Sequence, residues 1–327
     1  MKFDIIVANP PYNKDMYLDF VSTAYDMLKD DGMAIFITPA KFYAKGGAKN
    51  EAFRQKIMPH IKEAHIYKNS TDVFDIGELG GIAYYIVYKS QVFSTKLIQT
   101  HCLKNKILNS GLEEHIEQPT EFIQQNMLNL IAKCKAVAAN KLLIVNNLMK
   151  CYYCSDTFTG HDKRLDTDLP FMSGRGGQLS QEGYISLSEL KRSDNINKYK
   201  VIKNEQECSK NLGFDKQGRT LGLTVAQIIE PNCIPKGSYV IYGWCDTKEE
   251  AESLASYLNS GLVSVIVMNS LAANKSTCNE SWRHVPALPI SYSFDHIYTN
   301  EEIFKIFELT DEEIKLITNL IKPRKEK

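Results

Sequence analysis

The chain has 327 residues, of which 43% are hydrophobic and 24% are charged. This composition is ordinary for a globular protein, and the length is sufficient for two domains with separate cores. Lys+Arg and Asp+Glu both number 39, so the net charge is zero and does not by itself indicate a nucleic-acid partner. No apolar run has membrane-spanning length, and the first residues lack the regions of a signal peptide. The eight cysteines are scattered, which predicts reduced thiols and a cytoplasmic location.

The first 92 residues predict alternating strands and helices. Residues 3–8 form an apolar run, broken only by Asp4, that predicts a buried central strand. Apolar residues recur at helical spacing from Tyr17 to Leu28 and include Phe20. The later segments predict a strand at 33–38, a loop at Gly46-Gly47, a helix at 50–58, and strands at 61–67 and 82–88. This order predicts an α/β fold, specifically part of a doubly wound sheet.

The rest of the chain predicts a connector and a second domain. The connector, 93–139, contains a short predicted strand and a predicted helix. Residues 140–245 have more Gly, Asn and Lys and several short β-like runs, and helices follow them, so 140–327 is predicted to be a mixed α+β domain. The segments concerned are a strand at 95–99, a helix at 120–136, β-like runs at 142–145 and 239–242, helices at 249–258, 301–307 and 311–321, and an apolar run at 263–267.

Three local patterns in the second half admit two interpretations each. Cys151 and Cys154 lack the further ligands of a zinc site, so two buried or half-buried thiols in a strand are favoured. The glycine-rich stretch at 174–177 follows no apolar strand, which leaves a turn presenting Arg175 to DNA or a plain surface turn. Between 191 and 219, eight Lys/Arg stand against four acids. This run, which includes Lys198 and Lys200, can follow a phosphate backbone or form a solvated face.

The turn after the first strand, Asn9-Pro10-Pro11-Tyr12, carries the strongest functional signal. Two prolines end the strand in a stiff, extended turn, so Asn9 and Tyr12 are predicted at the carboxyl end of a strand. Open α/β sheets bind their ligands at that edge. A Pro-Pro-Tyr sequence can also bind a WW domain, but a strand leading directly into it disfavours that alternative.

The tetrapeptide matches the catalytic motif of amino-group DNA methyltransferases that use S-adenosylmethionine. The resemblance implies that the Asn9 side-chain oxygen and the Pro10 carbonyl accept the two N–H bonds of an exocyclic amine beside the cofactor's methyl group. Pro11 fixes the direction of that carbonyl, and Tyr12 stacks on the target base. Because the amine lies inside a duplex, the base must be flipped out of the DNA.

The continuation resembles a narrower family, the adenine-N6 methylases of type II restriction-modification systems, including fused nuclease-methylase enzymes. The resemblance is strong over residues 1–92 and weaker beyond them. It implies that Phe74 is a second aromatic residue beside the base, although Phe74 as a core residue is an equal alternative. It also implies that the Gly46-Gly47 loop covers the base, and a plain flexible loop is the alternative. The residues that carry it are Asp31-Gly32, Pro39, Lys41-Phe42, Gly46-Gly47, Phe53-Arg54, Val73-Phe74, Ile76, Gly80-Gly81 and Tyr84-Tyr85.

Members of this family hold the cofactor with a glycine-rich loop and acidic residues located before the catalytic motif. We therefore expect a companion chain or a further N-terminal segment to supply the first strands, with double-stranded DNA as the substrate and a restriction endonuclease as a possible associate. Two hypotheses follow. The chain is the catalytic and target-recognition part of a split or truncated methyltransferase, with 1–92 catalytic and 140–327 reading the DNA. Alternatively, it is a DNA-binding remnant without methyl transfer.

Overall fold

A computed structural model describes residues 1–43, 47–67, 70, 74, 81–100, 102–103, 106–107, 113–116, 125–143, 149–150, 152–174, 179–204, 223–270 and 282–321. The chain forms two compact units. The first comprises Met1–Leu130 and Asn269–Lys275, and the second comprises Ile131–Met268 and Ser276–Lys327. The first unit therefore extends past residue 92, and strands within the predicted connector belong to it.

The first unit is built on a six-stranded mixed sheet. Its elements are β1 (Phe3–Ala8), α1 (Met16–Asp26), β2 (Leu28–Pro39), α2 (Ala48–Ile57), β3 (Ile61–Tyr67), β4 (Ile82–Tyr88), β5 (Thr95–Thr100), β6 (Cys102–Leu103), β7 (Lys106–Ile107), β8 (Glu113–Ile116) and the first six residues of α3 (Gln125–Val137). The strand order is β1-β2-β4-β3-β5-β8, with β1-β2 and β3-β5 parallel. The predicted α/β fold is confirmed, and β1, β3 and β4 have the predicted bounds.

Both helices α1 and α2 pack on one face of this sheet. Their buried side chains meet alternate strand residues in one apolar core. The α1 side chains in that core are Tyr17, Leu18, Val21, Ala24 and Tyr25. Phe20, predicted on the apolar stripe, is instead 51% exposed, so that part of the prediction is wrong. The stripe also ends early, because α1 stops at Asp26 and Leu28 begins β2.

The opposite face of the sheet is only partly covered by the described residues. Met33, Ile35 and Ile37 on β2 are half-buried. On β1, which pairs only with β2 among the described strands, Ile5 is 61% exposed and Val7 is 73% exposed. Parallel strands are ordinarily covered on both faces, so β1 presents an unusual apolar edge.

Three tyrosines in the core of the first unit predict a steep loss of stability at alkaline pH. Burial raises the pKa of Tyr17, Tyr43 and Tyr85 well above the ordinary value. Above pH 10 the unfolded chain therefore ionises while the folded chain does not. Each tyrosine then removes about 1.4 kcal/mol from the free energy of unfolding per pH unit. Chemical denaturation at pH 9 and pH 11 should show a decrease of about 4 kcal/mol from this trio.

Tyr17→Phe provides the matched variant for that measurement. Among the described residues, the buried Tyr17 hydroxyl has no hydrogen-bond partner. Removing it should leave the protein equally stable or about 1 kcal/mol more stable at pH 9, because an unsatisfied buried hydroxyl is unfavourable. The variant should also lose about a third of the trio's effect at pH 11. An unchanged pH dependence would show that Tyr17 ionises freely in the folded protein.

The second unit contains two smaller sheets and a helical part. After the end of α3, its elements are β9 (Met149–Lys150), β10 (Leu169–Ser173), β11 (Ser180–Ile185), β12 (Tyr199–Asn204), β13 (Gln227–Ile229), β14 (Ile234–Pro235), β15 (Tyr239–Cys245), α4 (Lys248–Leu258), α5 (Gly261–Ser270), α6 (Asn300–Ile306) and α7 (Asp311–Leu320). The sheets have the orders β11-β10-β14 and β13-β12-β15-β9. Helices α4, α6 and α7 match the predicted segments, and the apolar run at 263–267 lies within α5.

Helix starts in the second unit follow capping-box chemistry. At α7, the Glu313 N–H donates to Thr310 Oγ1 at 3.3 Å, and the Thr310 N–H donates to Glu313 Oε2 at 2.8 Å.

The strand predicted around the cysteine pair is wrong, because Tyr152–Cys154 lie outside the strands. Cys154 is buried, and Cys151 lies outside the described residues.

Within the part of the chain that the structure describes, no single helix is long and apolar enough to cross a membrane, although α4 and α5 pass that test as a bent pair.

Candidate active site

The turn Asn9–Tyr12 lies at the carboxyl end of β1. The strand stops at Ala8 because the two prolines that follow Asn9 cannot continue its hydrogen bonding. Asn9 is exposed, Pro10 is buried and Tyr12 is half-buried. Because β1 and β2 are parallel, this turn and the segment after Pro39 emerge at the same edge of the sheet. The position is the one predicted from the sequence.

Asn9 and Tyr12 are joined by a hydrogen bond. The Tyr12 hydroxyl donates to Asn9 Oδ1 at 2.6 Å and lies 3.4 Å from the Ile37 carbonyl. Burial raises the pKa of Tyr12, so the hydroxyl remains a donor at neutral pH. An amide oxygen has two lone pairs, so Asn9 Oδ1 can accept one further hydrogen from a ligand. The arrangement thus presents an oriented hydrogen-bond acceptor to solvent.

The segment after β2 forms a firmly anchored turn next to this site. Ala40–Tyr43 is a 3-10 turn in which Ala40, Phe42 and Tyr43 are buried. The Ala40 N–H donates to the Gly81 carbonyl at 2.8 Å, and Arg54 Nη1 donates to the Phe42 carbonyl at 2.8 Å. Lys41, the remaining residue of the turn, places its Nζ 2.5 Å from Asp15 Oδ1. Sequence reasoning missed this pair, because 26 positions separate the two residues and nothing in the pattern links them.

The glycine loop and Phe74 are only partly described. Gly46 lies outside the described residues, whereas Gly47 precedes α2 with φ of 101° and ψ of 146°, a backbone conformation that favours glycine. Phe74 is half-buried rather than part of the buried core, and its N–H donates to the Ser70 carbonyl at 3.0 Å. The predicted roles of these residues over a target base stay predictions.

The predicted DNA contacts in the second unit have different outcomes. Arg175 lies outside the described residues. Lys198 is one-third exposed, with its Nζ 3.1 Å from Asp246 Oδ1. Lys200 is fully buried, and its Nζ donates to three carbonyls, those of Ile196 at 2.8 Å, Lys198 at 2.9 Å and Glu230 at 3.4 Å.

The position of Lys200 argues against the phosphate contact predicted for it. Burial lowers the pKa of its ammonium to about 8, and all three N–H groups have carbonyl acceptors within the protein. Such a group holds the loop before β12 against the end of β13 and does not reach a DNA strand. We therefore remove Lys200 from the set of candidate DNA-binding residues.

Comparison with known proteins finds a family profile that matches part of the first unit and relatives of the chain. Residues 12–74 match the profile of the Eco57I restriction-modification methylase family. An uncharacterized adenine-specific methylase of Mycoplasma pneumoniae is 27% identical over 143 residues, which are 39% of this chain and 32% of the relative. This chain thus spans about a third of the length of that curated relative.

Solved structures with detectable likeness include restriction-modification proteins. The type IIL restriction-modification enzyme MmeI, in complex with DNA, is 9% identical, with coverage of 98% of this chain and 55% of MmeI and a TM-score of 0.48. The M protein of the type I restriction enzyme EcoKI is 15% identical, and the match covers 34% of this chain and 28% of the M protein with a TM-score of 0.27. The resemblance predicted from the motif is confirmed: residues 12–74 match the Eco57I restriction-modification methylase family, and the chain is similar to an adenine-specific methylase.

Proposed function

We propose that this chain is the catalytic and target-recognition part of a site-specific DNA methyltransferase that transfers a methyl group from S-adenosylmethionine to the N6 amine of adenine. The observation that supports this proposal most directly is the exposed Asn9 amide at the end of β1, with its oxygen held at 2.6 Å by the Tyr12 hydroxyl. The family match over residues 12–74 supports the same reaction class. A cytoplasmic location is part of the proposal, since the scattered cysteines predict reduced thiols.

The proposed chemistry requires two acceptors for the amine. The lone pair of an exocyclic amine is delocalised into the base, so the nitrogen is a poor nucleophile. Asn9 Oδ1 and the Pro10 carbonyl would accept its two N–H bonds and draw the nitrogen towards tetrahedral geometry. Tyr12 would orient the Asn9 amide through its hydroxyl and stack on the base through its ring, a contact that contributes about 1–3 kcal/mol.

The described residues fit the reactive end of the cofactor. When bound, S-adenosylmethionine supplies an electrophilic methyl group on a sulfonium. Asn9 would lie beside this group, because its side chain is exposed at the edge of the sheet, next to the side of β1 with which no described strand pairs. We propose that strands carrying the remaining cofactor contacts pair with β1, in the same polypeptide or in a companion chain. The exposed Ile5 and Val7 side chains are the surface they would cover.

DNA methylation with a labelled cofactor tests the proposal. The chain, expressed together with its genomic neighbours, should incorporate tritiated methyl groups into unmethylated double-stranded DNA, and mass spectrometry should identify N6-methyladenine. Label found only in cytosine, or DNA binding without any label, would reject the proposal; the second result would favour the DNA-binding remnant. An associated restriction endonuclease is a further proposal, and DNA cleavage that prior methylation blocks would reveal it.

The second unit is proposed to choose the DNA sequence. The proposed site at the end of β1 would read one flipped nucleotide, whereas neighbouring base pairs require a separate surface. Exchanging residues 140–327 for the equivalent part of a relative with another target should transfer the methylated sequence to the hybrid. Sequencing that detects N6-methyladenine at single-base resolution measures the outcome. A hybrid that keeps the original sequence preference would place target recognition in residues 1–139.

A further inference from the structure

Asp15 occupies an unusual place directly after the proposed catalytic motif. Tyr12 begins the 3-10 turn Asn13–Asp15, and Asp15 is in turn the N-cap residue of α1. Asp15 has a left-handed backbone, with φ of 66°, which few residues other than Gly, Asn and Asp adopt readily. Its side chain makes no capping hydrogen bond to α1. The carboxylate is therefore directed to something other than its own helix.

The carboxylate of Asp15 forms a tight ion pair with Lys41. Lys41 Nζ lies 2.5 Å from Asp15 Oδ1, and the two side chains are 38% and 18% exposed. Lys41 belongs to the turn Ala40–Tyr43, whose other residues are buried and whose backbone is bonded to Gly81 and Arg54. A lysine fixed at the end of β2 thus reaches across the edge of the sheet to the segment that follows β1.

Another ion pair in the same unit, Lys49 with Asp19, is much more exposed than the Asp15–Lys41 pair. Lys49 Nζ lies 2.6 Å from Asp19 Oδ2, but these side chains are 47% and 69% exposed. Fully hydrated pairs of that kind contribute little, because water and salt screen them. The Asp15–Lys41 pair is better shielded and joins two turns at the candidate active site, whereas the Lys49–Asp19 pair joins α2 to the outer surface of α1.

We propose that Lys41 and Asp15 are positioning residues, whose ion pair fixes the turn that carries Asn9 and Tyr12 to the end of β2. This inference rests on the proposed function for its catalytic consequence. The chain from Asn9 to Asp15 contains two prolines and a 3-10 turn, so a restraint at Asp15 limits the motion of the whole turn. The hydrogen bond from Tyr12 to Asn9 then keeps its geometry when the base arrives. An error of about 1 Å in such geometry can reduce turnover by about 100-fold.

Variants that remove one charge of the ion pair distinguish positioning of the Asn9–Tyr12 turn from a contribution to folding stability alone. Asp15→Asn removes the charge but keeps a residue that tolerates the left-handed backbone, and Lys41→Gln removes the opposite charge. Lys41→Arg retains the charge and should restore most of the function. Asp19→Asn and Lys49→Gln remove the exposed ion pair in the same unit and serve as matched controls.

Two measurements decide the inference. In hydrogen-deuterium exchange on the full chain, Asp15→Asn and Lys41→Gln should increase exchange in a peptide covering residues 9–17, and the two controls should not. In a preparation that methylates DNA, the same two variants should lower kcat by about 10- to 100-fold with little change in the KM for DNA, and Lys41→Arg should recover most of it.

Each outcome assigns the failure to one proposal. Exchange in 9–17 that is equal in Asp15→Asn and Asp19→Asn would overturn the positioning role, whether or not the protein methylates DNA. If the two variants increase exchange in residues 9–17 as predicted but the wild-type preparation never methylates DNA, the proposed function is rejected and the structural restraint is established. Increased exchange with unchanged kcat would overturn the catalytic consequence.

Discussion

Asn9→Ala should lower methyl transfer by at least about 100-fold while DNA binding changes little, because the amide oxygen acts on the reacting amine and not on the DNA backbone. Asn9 is exposed and contacts its surroundings through Tyr12, so the substitution leaves no cavity and removes no core packing. Incorporation of tritiated methyl groups measures the first quantity, and an electrophoretic mobility shift with the same DNA measures the second. Methylation at the wild-type rate would remove Asn9 from the proposed mechanism.

Tyr12 variants divide the contribution of the aromatic ring from that of the hydroxyl. Tyr12→Phe retains the stacking surface but loses the 2.6 Å hydrogen bond that orients Asn9. It should therefore lower kcat more than it weakens DNA binding. Tyr12→Ala loses both and should also weaken capture of the flipped base, which fluorescence of 2-aminopurine at the methylated position reports. Equal base capture by the two variants would show that the ring does not stack on the base.

The parts of the fold that local sequence determines were predictable. Strands β1 and β4 are mainly apolar segments of ordinary strand length, and β3 mixes buried apolar residues with polar ones. Residues next to these elements in the sequence determine where β1 ends and where the helices start. The two prolines after Asn9 stop β1, and the threonine and glutamate of a capping box start α7. The position of the turn Asn9–Tyr12, which is proposed to be catalytic, was predictable for the same reason, since the motif and the prolines that set its geometry lie in four adjacent residues.

The start of β2 was not predictable, because its cause lies in another strand. Lys29–Gly32 carries two acidic residues and a glycine, a composition typical of a loop, and the strand was expected to start at Met33. In the structure β2 begins at Leu28. A Cβ atom at Gly32 would lie 3.1 Å from the Phe3 carbonyl and 3.2 Å from the Asp4 carbonyl. Glycine therefore permits close approach to β1, and the register shifts at this point.

Lys200 shows the limit of charge patterns. It lies within a run of basic residues that predicts a DNA-facing surface, yet pairing of β12 with β13 on one side and β15 on the other encloses it. Burial of a lysine requires acceptors for three N–H groups. Here the carbonyls of Ile196 and Lys198 in the preceding loop and the carbonyl of Glu230, which is distant in sequence, supply them. No pattern within the run distinguishes Lys200 from Lys198. The ion pair of Asp15 with Lys41 was hidden for the same reason.

One edge of β1 is not paired with any described strand. We expect the isolated chain to self-associate, because Ile5 and Val7 are 61% and 73% exposed on a strand whose outer N–H and C=O groups have no neighbouring strand within the described residues. Burying one such side chain contributes about 1.5–3 kcal/mol, so an edge that exposes two will pair with a second copy when its proper partner is not present. Asp4, the charge on this strand, is bonded to Lys29 at 2.8 Å and only partly blocks pairing.

Val7→Lys should convert the isolated chain to a monomer and, in the complete enzyme, should abolish assembly with the cofactor-binding strands and methyl transfer with it. A buried lysine in that interface would lack acceptors, and its charge would oppose pairing. Val92→Lys is the matched control, since Val92 is 66% exposed in the same unit and lies outside the strands. Light scattering gives the mass of each chain, and calorimetry gives its affinity for S-adenosylmethionine. If the wild-type chain is a monomer that binds the cofactor at micromolar concentration, the cofactor site lies within this chain and the partner proposed for β1 is wrong.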